Sequence, residues 1–502
     1  MHTALLLDMM ADAAPDRLAL GRKRDGLTFY EVRRRAHHAA EWLQAKGAGT
    51  VVFVGLNGTA LPIALFAAGM LAKPFAPLNY RLPDADLQKL LARTAPSVAV
   101  VDDDMAGRLG RPEGVTLVTR SAFEIACNQS GHSEAAFDED HDIGVLLFTS
   151  GTTGEPKAAI LRHRNLTSYV ISTVEFLASE ADEAALVSVP PYHVAGVSAI
   201  LTGVYSGRRI VHLETFTPEA WVATAAEEAI THAMVVPTML GRILDVLEKS
   251  GETLPTLKAV SYGGGRMPPP VIERAMRLLP HVGFANAYGL TETSSTISIL
   301  GPDDHREAMA SSDPNIRRRL GSVGRPLPFL DVEIRGPSGE VLPPGQSGEI
   351  HVRGDQVSGE YAGKKVIDAE GWFATNDGGW MDEDGYLFVE GRLDDVIVRG
   401  GENISPGEIE DVLRGHPQVA DVAVFGAPDN EWGETVAAVI VAKGARPSTE
   451  DLAGWVKARL RSTKTPEVWA FRDALPYNDT GKLLRRQLKA EFAGPAKQPA
   501  SA

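Results

Sequence analysis

The stretch Thr149 to Lys157, TSGTTGEPK, constrains this chain more than any other. Its two glycines let backbone N–H groups turn inward, its three threonines and one serine add hydroxyl donors, and Lys157 brings a flexible positive charge. Together they have the makings of an anion cradle. The preceding run IGVLLF, Ile143 to Phe148, has the length and apolar content of a buried strand. The loop would therefore leave a sheet at its carboxyl edge, where α/β proteins bind ligands. It is not a Walker A loop, because Glu155 and Pro156 separate Gly154 from Lys157 and Ala158 follows.

At 502 residues, the chain exceeds what one hydrophobic core usually supports, so at least two domains are expected. A net charge of -15 with no basic block argues against a general affinity for nucleic acid or anionic membrane. Cys127 is the only cysteine, which excludes an intrachain disulfide framework or a Cys-based zinc site and points to a reducing compartment, the cytoplasm by default. The N-terminal stretch carries Asp8 and no basic segment ahead of its short apolar run, unlike a secretory signal. Pro62 and Gly69 interrupt the longest apolar run, Ala60 to Ala72, which falls short of the ~20 residues a membrane span needs. No transmembrane segment is expected.

Short β-type runs begin at Val51, Val98, Ala185, Arg209, His232 and Leu257, separated by helix-length segments. That alternation predicts an α/β layered fold with largely parallel sheets. Thr28 and Glu31 form a capping box ahead of Val32, Ala36, Ala39 and Leu43, and Gly47 closes that helix. After Ser322 the texture turns to short strands and Gly/Pro turns, which reads as a small β-rich subdomain of antiparallel hairpins. From Ser405 the chain resets, with Ser405 as cap, Pro406 in the first turn and Glu408 as capping-box acid. The strands VADVAVFG and ETVAAVIVA and a helix from Thr449 to Leu460 complete a small α+β lobe, and the tail from Gly494 reads as disordered.

Three more segments carry chemical potential. YGLTE, Tyr288 to Glu292, offers an aromatic face for a base, a hydroxyl, and a carboxylate suited to a hard cation such as Mg²⁺. Gly263 to Gly265 would let a flat ring approach bare backbone, and PPYHVAG sets His193 in apolar surroundings. Taken singly, each has a plain structural reading: a strand-to-loop junction, a turn, a satisfied core histidine.

Together and in order, the blocks TSGTTGEPK, PPYHVAG, NAYGLTE, GWFATNDGGWMDEDGYLFVEGRLDDVIVRGGENISPGEIE and PYNDTGKLLRR resemble the adenylate-forming superfamily. That superfamily comprises acyl-CoA synthetases, carrier-loading adenylation domains and firefly luciferase. The likeness runs from Leu27 to the segment starting at Gly481. It implies a large N-terminal domain, residues 1–393, and a small mobile C-terminal lid, residues 394–502, hinged at Asp394.

The resemblance also implies site roles. Thr149, Ser150, Gly151, Thr152, Thr153, Gly154 and Lys157 would clasp the ATP phosphates, with Thr291 at the α-phosphate and Glu292 holding Mg²⁺. Tyr288 would stack on adenine, with Gly263, Gly264, Gly265, Asn286 and Gly289 around the nucleotide and Asp377 and Arg392 at its ribose. Lys482 would reach the carboxylate and α-phosphate during adenylation. Gly400, Gly401, Trp432 and Lys464 would serve CoA, and His193, Val194, Gly196 and Val197 the acyl group.

Three residues depart from the family pattern: Ala158 replaces a glycine, Asn376 stands where most relatives have glycine, and Glu467 falls where many carry a basic residue. A fourth, Arg266, stands where proline is common and has no account from the sequence. Asparagine is among the residues that best accept positive φ, should Asn376 need it. The expected activity is an ATP- and CoA-dependent ligase acting on a neutral, apolar carboxylic acid, because apolar Val194, Val197, Ile200, Leu201, Val235 and Val236 would wall the pocket. Ala287, where malonate-activating relatives carry a basic residue, disfavours malonate. The alternatives are a ligase loading a carrier protein, an oxygenase of luciferase type and a non-catalytic nucleotide-binding regulator. Assembly as a homodimer is allowed.

Overall fold

The helix Ala60–Met70 is buried at all of its positions, which accounts for an apolar run too short to span a membrane. It lies between two sheets in a computed structural model that describes residues 1–129, 142–149, 156–429, 431–477 and 483–492. Among the described residues, no helix is long and apolar enough to cross a membrane.

The first sheet has nine strands, ordered Arg325–Pro326, Ser295–Leu300, Gly283–Leu290, Ala259–Gly263, His232–Val235, Ala184–Val187, Arg209–His212, Leu18–Leu20 and Leu27–Thr28. Its middle strands are parallel and its margins antiparallel. The second has eight, ordered Lys364–Lys365, Glu360–Tyr361, Lys157–Arg162, Ile143–Thr149, Phe75–Pro77, Thr50–Val54, Ser97–Val101 and Val115–Thr119, with Ile143–Thr149 and Lys157–Arg162 forming a hairpin within it. One apolar cluster joins Leu20, Val187 and Ile210 of the first sheet to Val51, Val98 and Val145 of the second through the helices Phe29–Ala45, Ala60–Met70 and Val194–Ser206. Separate clusters cover the outer faces, so helices and sheets alternate in layers. The capping box is present at Thr28 and Glu31, and Gly47 takes φ +76° just beyond the helix.

A four-stranded antiparallel sheet, Asp331–Arg335, Gly348–Arg353, Phe373–Met381 and Leu387–Arg392, forms the β-rich subdomain. The chain then passes through the short turn Leu393–Asp395 into the small lobe. There Gly433–Ala442 pairs with Val419–Asp429, Ile397–Arg399 and Val468–Arg472, and the helices Pro406–Arg414 and Thr449–Lys457 pack on an apolar cluster of their own.

Two local expectations are corrected. Ser405 makes no side-chain cap, because its hydroxyl donates instead to the Glu390 carbonyl at 3.0 Å, and Glu408 pairs with Lys464 rather than closing a capping box. The strand Ile143–Thr149 is only partly buried, since its far end opens towards the cleft. The expected tail from Gly494 lies outside the described residues.

Candidate active site

The residues flanking the TSGTTGEPK turn form a hairpin stem. Thr149 closes one strand and Lys157 opens the next, the two residues pair in register, and the Thr149 hydroxyl reaches the Lys157 carbonyl at 3.4 Å. Lys157 is exposed at this stem. Ser150 to Gly154 and Lys482 lie outside the described residues, so their roles rest on the sequence.

Beside the stem sits Glu292, in the tight turn Thr291–Thr293 that packs on Lys157–Arg162. Its carbonyl accepts from the backbone of Ser358 at 2.8 Å, and its carboxylate accepts a hydrogen bond from the Tyr361 hydroxyl. Burial, then the nearby carboxylate, pushes the Tyr361 phenol up, so it stays a donor at neutral pH. Sequence reasoning missed Tyr361; its strand, Glu360–Tyr361, is only two residues long and pairs with Ala159. Among the described residues no cluster of three or more His, Cys, Asp or Glu could cage a metal. One carboxylate at the phosphate hairpin fits Mg²⁺, which is commonly held by one or two carboxylates plus substrate phosphates.

The cluster around Asp377 is the most fully built part. The Tyr288 hydroxyl donates to Asp377 Oδ2 at 2.6 Å, and Arg392 Nε lies 3.1 Å from Asp377 Oδ1 while its Nη1 donates to the Thr375 carbonyl at 2.8 Å. Asp377 and Arg392 face each other across paired strands. Asp377 is only 6% exposed, and burial followed by its charge drives the Tyr288 phenol far above its ordinary range. A neutral phenol and a guanidinium thus orient one carboxylate.

Glycines clear the adjoining floor. A Cβ at Gly263 would stand 2.3 Å from the Ala287 carbonyl oxygen, and Gly264 has φ +75°. Gly289 admits no side chain either, because a Cβ would lie 1.7 Å from the Ser295 carbonyl. Asn286 is drawn into the scaffold, where its amide donates to the Ser322 carbonyl at 3.0 Å. His193 precedes the helix Val194–Ser206, with its ring 4.7 Å from that of Tyr192; Val194 and Gly196 sit in the first turn and Val197 is buried.

A cavity of about 310 Å³ opens between the lobes, lined by Asn57, Tyr80, Arg81, Pro190, Val236 and Tyr477 among others. Tyr477 comes from the small lobe, in the block that carries Lys482, and a sequence reading gave it no role. Of the residues expected to wall an apolar pocket only Val236 lines it, since Val197, Ile200, Leu201 and Val235 pack into the buried cores, and the lining is mostly polar.

In the small lobe, Gly400 and Gly401, with φ +56° and +85°, form the two-residue turn between Ile397–Arg399 and Glu402–Ile404. A Cβ at Gly400 would strike the Trp432 ring at 2.7 Å, so those two predicted CoA residues meet. Lys464 is held by Glu408. Glu467, the departure at the CoA end, binds Arg399 and accepts from the Thr435 hydroxyl at 2.8 Å. Its acidity is therefore used inside the lobe. Asn376 has φ +59°, the region that its glycine counterparts would accept, and its side-chain amide donates to Asp394 at 2.8 Å. Arg266 pairs with Asp411 of the small lobe.

A large layered lobe and a small lobe, with the Thr149–Lys157 hairpin and the Tyr288–Asp377–Arg392 cluster on the large one, make the architecture of a two-lobed adenylate-forming enzyme. The chain belongs to the AMP-binding enzyme family, whose model matches residues 7–362, with the AMP-binding enzyme C-terminal domain matching residues 408–482. It is 34% identical to feruloyl-CoA synthase of an Amycolatopsis species, over 96% of this chain and 97% of that one. It is 30% identical to a fatty acid–acyl-carrier-protein ligase of Streptomyces coeruleorubidus, over 93% and 92%. Its structure resembles o-succinylbenzoate CoA synthetase from Bacillus subtilis in complex with its acyl-adenylate intermediate, with a TM-score of 0.84 and 29% identity over 96% of this chain and 97% of that one.

Proposed function

We propose that this protein is an ATP-dependent ligase that joins a neutral, largely apolar carboxylic acid to CoA through an acyl-AMP intermediate. The observation that carries the reading is the Tyr288–Asp377–Arg392 clamp, set in the same cleft as the Thr149–Lys157 hairpin and Glu292. Asp377 would accept hydroxyl donors such as those of a ribose, with Arg392 and Tyr288 fixing its orientation. Lys157, exposed at the stem, would meet the phosphate charge.

In the first half-reaction a carboxylate oxygen attacks the α-phosphorus in line and pyrophosphate leaves. The step is dominated by negative charge that must be held in place, the task of Lys157, the hairpin donors and Lys482. Glu292 would hold Mg²⁺, which neutralises phosphate charge when bound; the Tyr361 hydroxyl engages its Oε1 alone and leaves acceptor capacity on the carboxylate. In the second, the thiol attacks the acyl carbon and AMP leaves with the oxygen that came from the acid. We assign residues 394–502 to a lid that turns at Asp394 between these steps, and a cytoplasmic location to the whole.

Relatedness to feruloyl-CoA synthase puts aryl acids first, with fatty and alicyclic acids next. The carrier-protein reading keeps support from the ligase of Streptomyces coeruleorubidus. Hydroxamate trapping with ATP across aryl, fatty and alicyclic acids, followed by transfer to CoA or a holo carrier protein, separates the two. Trapping of a neutral apolar acid and faster transfer to CoA is expected; failure of every acid would return the chain to a nucleotide-binding regulator.

A further inference from the structure

The chain crosses between the lobes through three residues, Leu393–Asp395, whose two acids are held from opposite sides. Asp394 accepts the Asn376 amide of the large lobe at 2.8 Å. Asp395 lies 3.5 Å from Arg485, which is itself bound to Glu410 at 2.6 Å and to the Val424 carbonyl within the small lobe. Rotation at this turn can leave the Asp395 contact intact, because both partners travel together. It cannot leave the contacts to the large lobe unchanged.

About the same junction, Arg266, just beyond the Ala259–Gly263 strand, reaches across to Asp411 on the helix Pro406–Arg414. Room for its guanidinium depends on Gly407, where a Cβ would stand 2.7 Å from Arg266 Nη1. Asp411 Oδ1 is buried without a hydrogen bond, and Arg414 approaches it only to 3.8 Å. Arg266 is therefore the close cation that answers this carboxylate. Burial raises the Asp411 pKa and Arg266 opposes the rise, so losing the arginine would leave a poorly solvated charge.

We infer that Asn376 and Arg266 form a two-point clasp that holds the small lobe in the orientation seen and so sets the balance between the two half-reactions. Both are positioning residues. Asparagine at 376 combines two properties: it accepts φ +59°, and it brings an amide that glycine lacks. In the clasped orientation Tyr477, from the block carrying Lys482, lines the cleft cavity. The clasp thus favours adenylation over thioester formation, an inference that rests on the ligase reading above.

The test uses Asn376→Gly, Arg266→Ala, Arg266→Glu and the charge-swapped Arg266→Glu/Asp411→Lys in the full chain. Spin labels go on cysteines introduced at exposed Lys249 and Lys457, since the native Cys127 is 1% exposed and burial pushes its thiol up to about 12. Pulsed electron resonance should show a broader interlobe distance distribution in each single variant. The rate of acid-dependent ATP–pyrophosphate exchange, divided by that of thioester formation from supplied acyl-adenylate, should fall roughly 3- to 10-fold, on the scale of one ion pair or charged hydrogen bond. The charge swap should restore both readouts towards those of the parent. Unchanged distances, or equal loss of both half-reactions, would overturn the clasp. Should the parent activate no acid, the ligase reading fails while the distance measurement still decides the clasp.

Discussion

Asp377 in the large lobe and Lys464 in the small lobe are both matched to ligand contacts, yet their surroundings differ in kind. Asp377 is gripped by Tyr288 and Arg392 on neighbouring strands, with its acceptor oxygens oriented before any ligand arrives. Lys464 already has a partner, Glu408, as Arg399 has Glu467. Two acids of the small lobe occupy cations at the end proposed for CoA. The proposed nucleotide end is thus preorganised, while the proposed CoA end would have to exchange internal ion pairs for ligand contacts, a cost that falls on affinity more than on chemistry.

The contrast can be broken or sharpened by substitution. Lys482→Ala should reduce adenylation about 10²–10³-fold, on the order of 2.7–4 kcal/mol, while transfer from a supplied acyl-adenylate persists; equal loss of both half-reactions would contradict its assignment. Asp377→Asn should lower kcat/KM for ATP roughly 10- to 100-fold, the scale of about 1.5–3 kcal/mol for hydrogen bonds to a charged group, with little change for CoA. Lys464→Ala should raise the CoA KM less than about fivefold, because an engaged, half-exposed pair contributes about 1 kcal/mol or less. Glu408→Gln should lower that KM by releasing the lysine, and a rise instead would erase the distinction between the two ends.

The smallest effect concerns stability and discriminates the lobes. His212 of the large lobe has both ring nitrogens buried without a hydrogen-bond partner, and burial lowers its pKa from 6.5 to about 4. The fold favours the neutral ring, so its contribution is complete above pH 6.5 and is lost as pH falls towards 4. Large-lobe unfolding followed by calorimetry should lose on the order of 1–2 kcal/mol between neutrality and pH 5, and His212→Leu should flatten that slope.

What the sequence disclosed followed from how local each signal was. The Thr28 capping box, the strands from Val51 to Leu257 and the antiparallel subdomain after Ser322 were legible because each depends on residues a few positions apart. The acceptance of positive φ at Asn376 was legible for the same reason. The Ser405 cap failed because a carbonyl 15 residues earlier in the chain, on Glu390, competes for its hydroxyl. Arg266, Tyr361 and Glu467 found partners 145, 69 and 32 or more positions away, and no periodicity or spacing encodes such pairings. Placement of Tyr477 at the cavity depends on how the lobes dock, which lies beyond any local pattern.

The account turns on the acid becoming a mixed anhydride with AMP before it becomes a thioester, and an isotope traces that directly. A carboxylic acid labelled with oxygen-18 in both carboxylate oxygens, incubated with ATP, CoA and the enzyme, should deliver one labelled oxygen to the phosphate of AMP and none to pyrophosphate. Label appearing in inorganic phosphate alongside ADP, or thioester formation with unlabelled AMP, would contradict it.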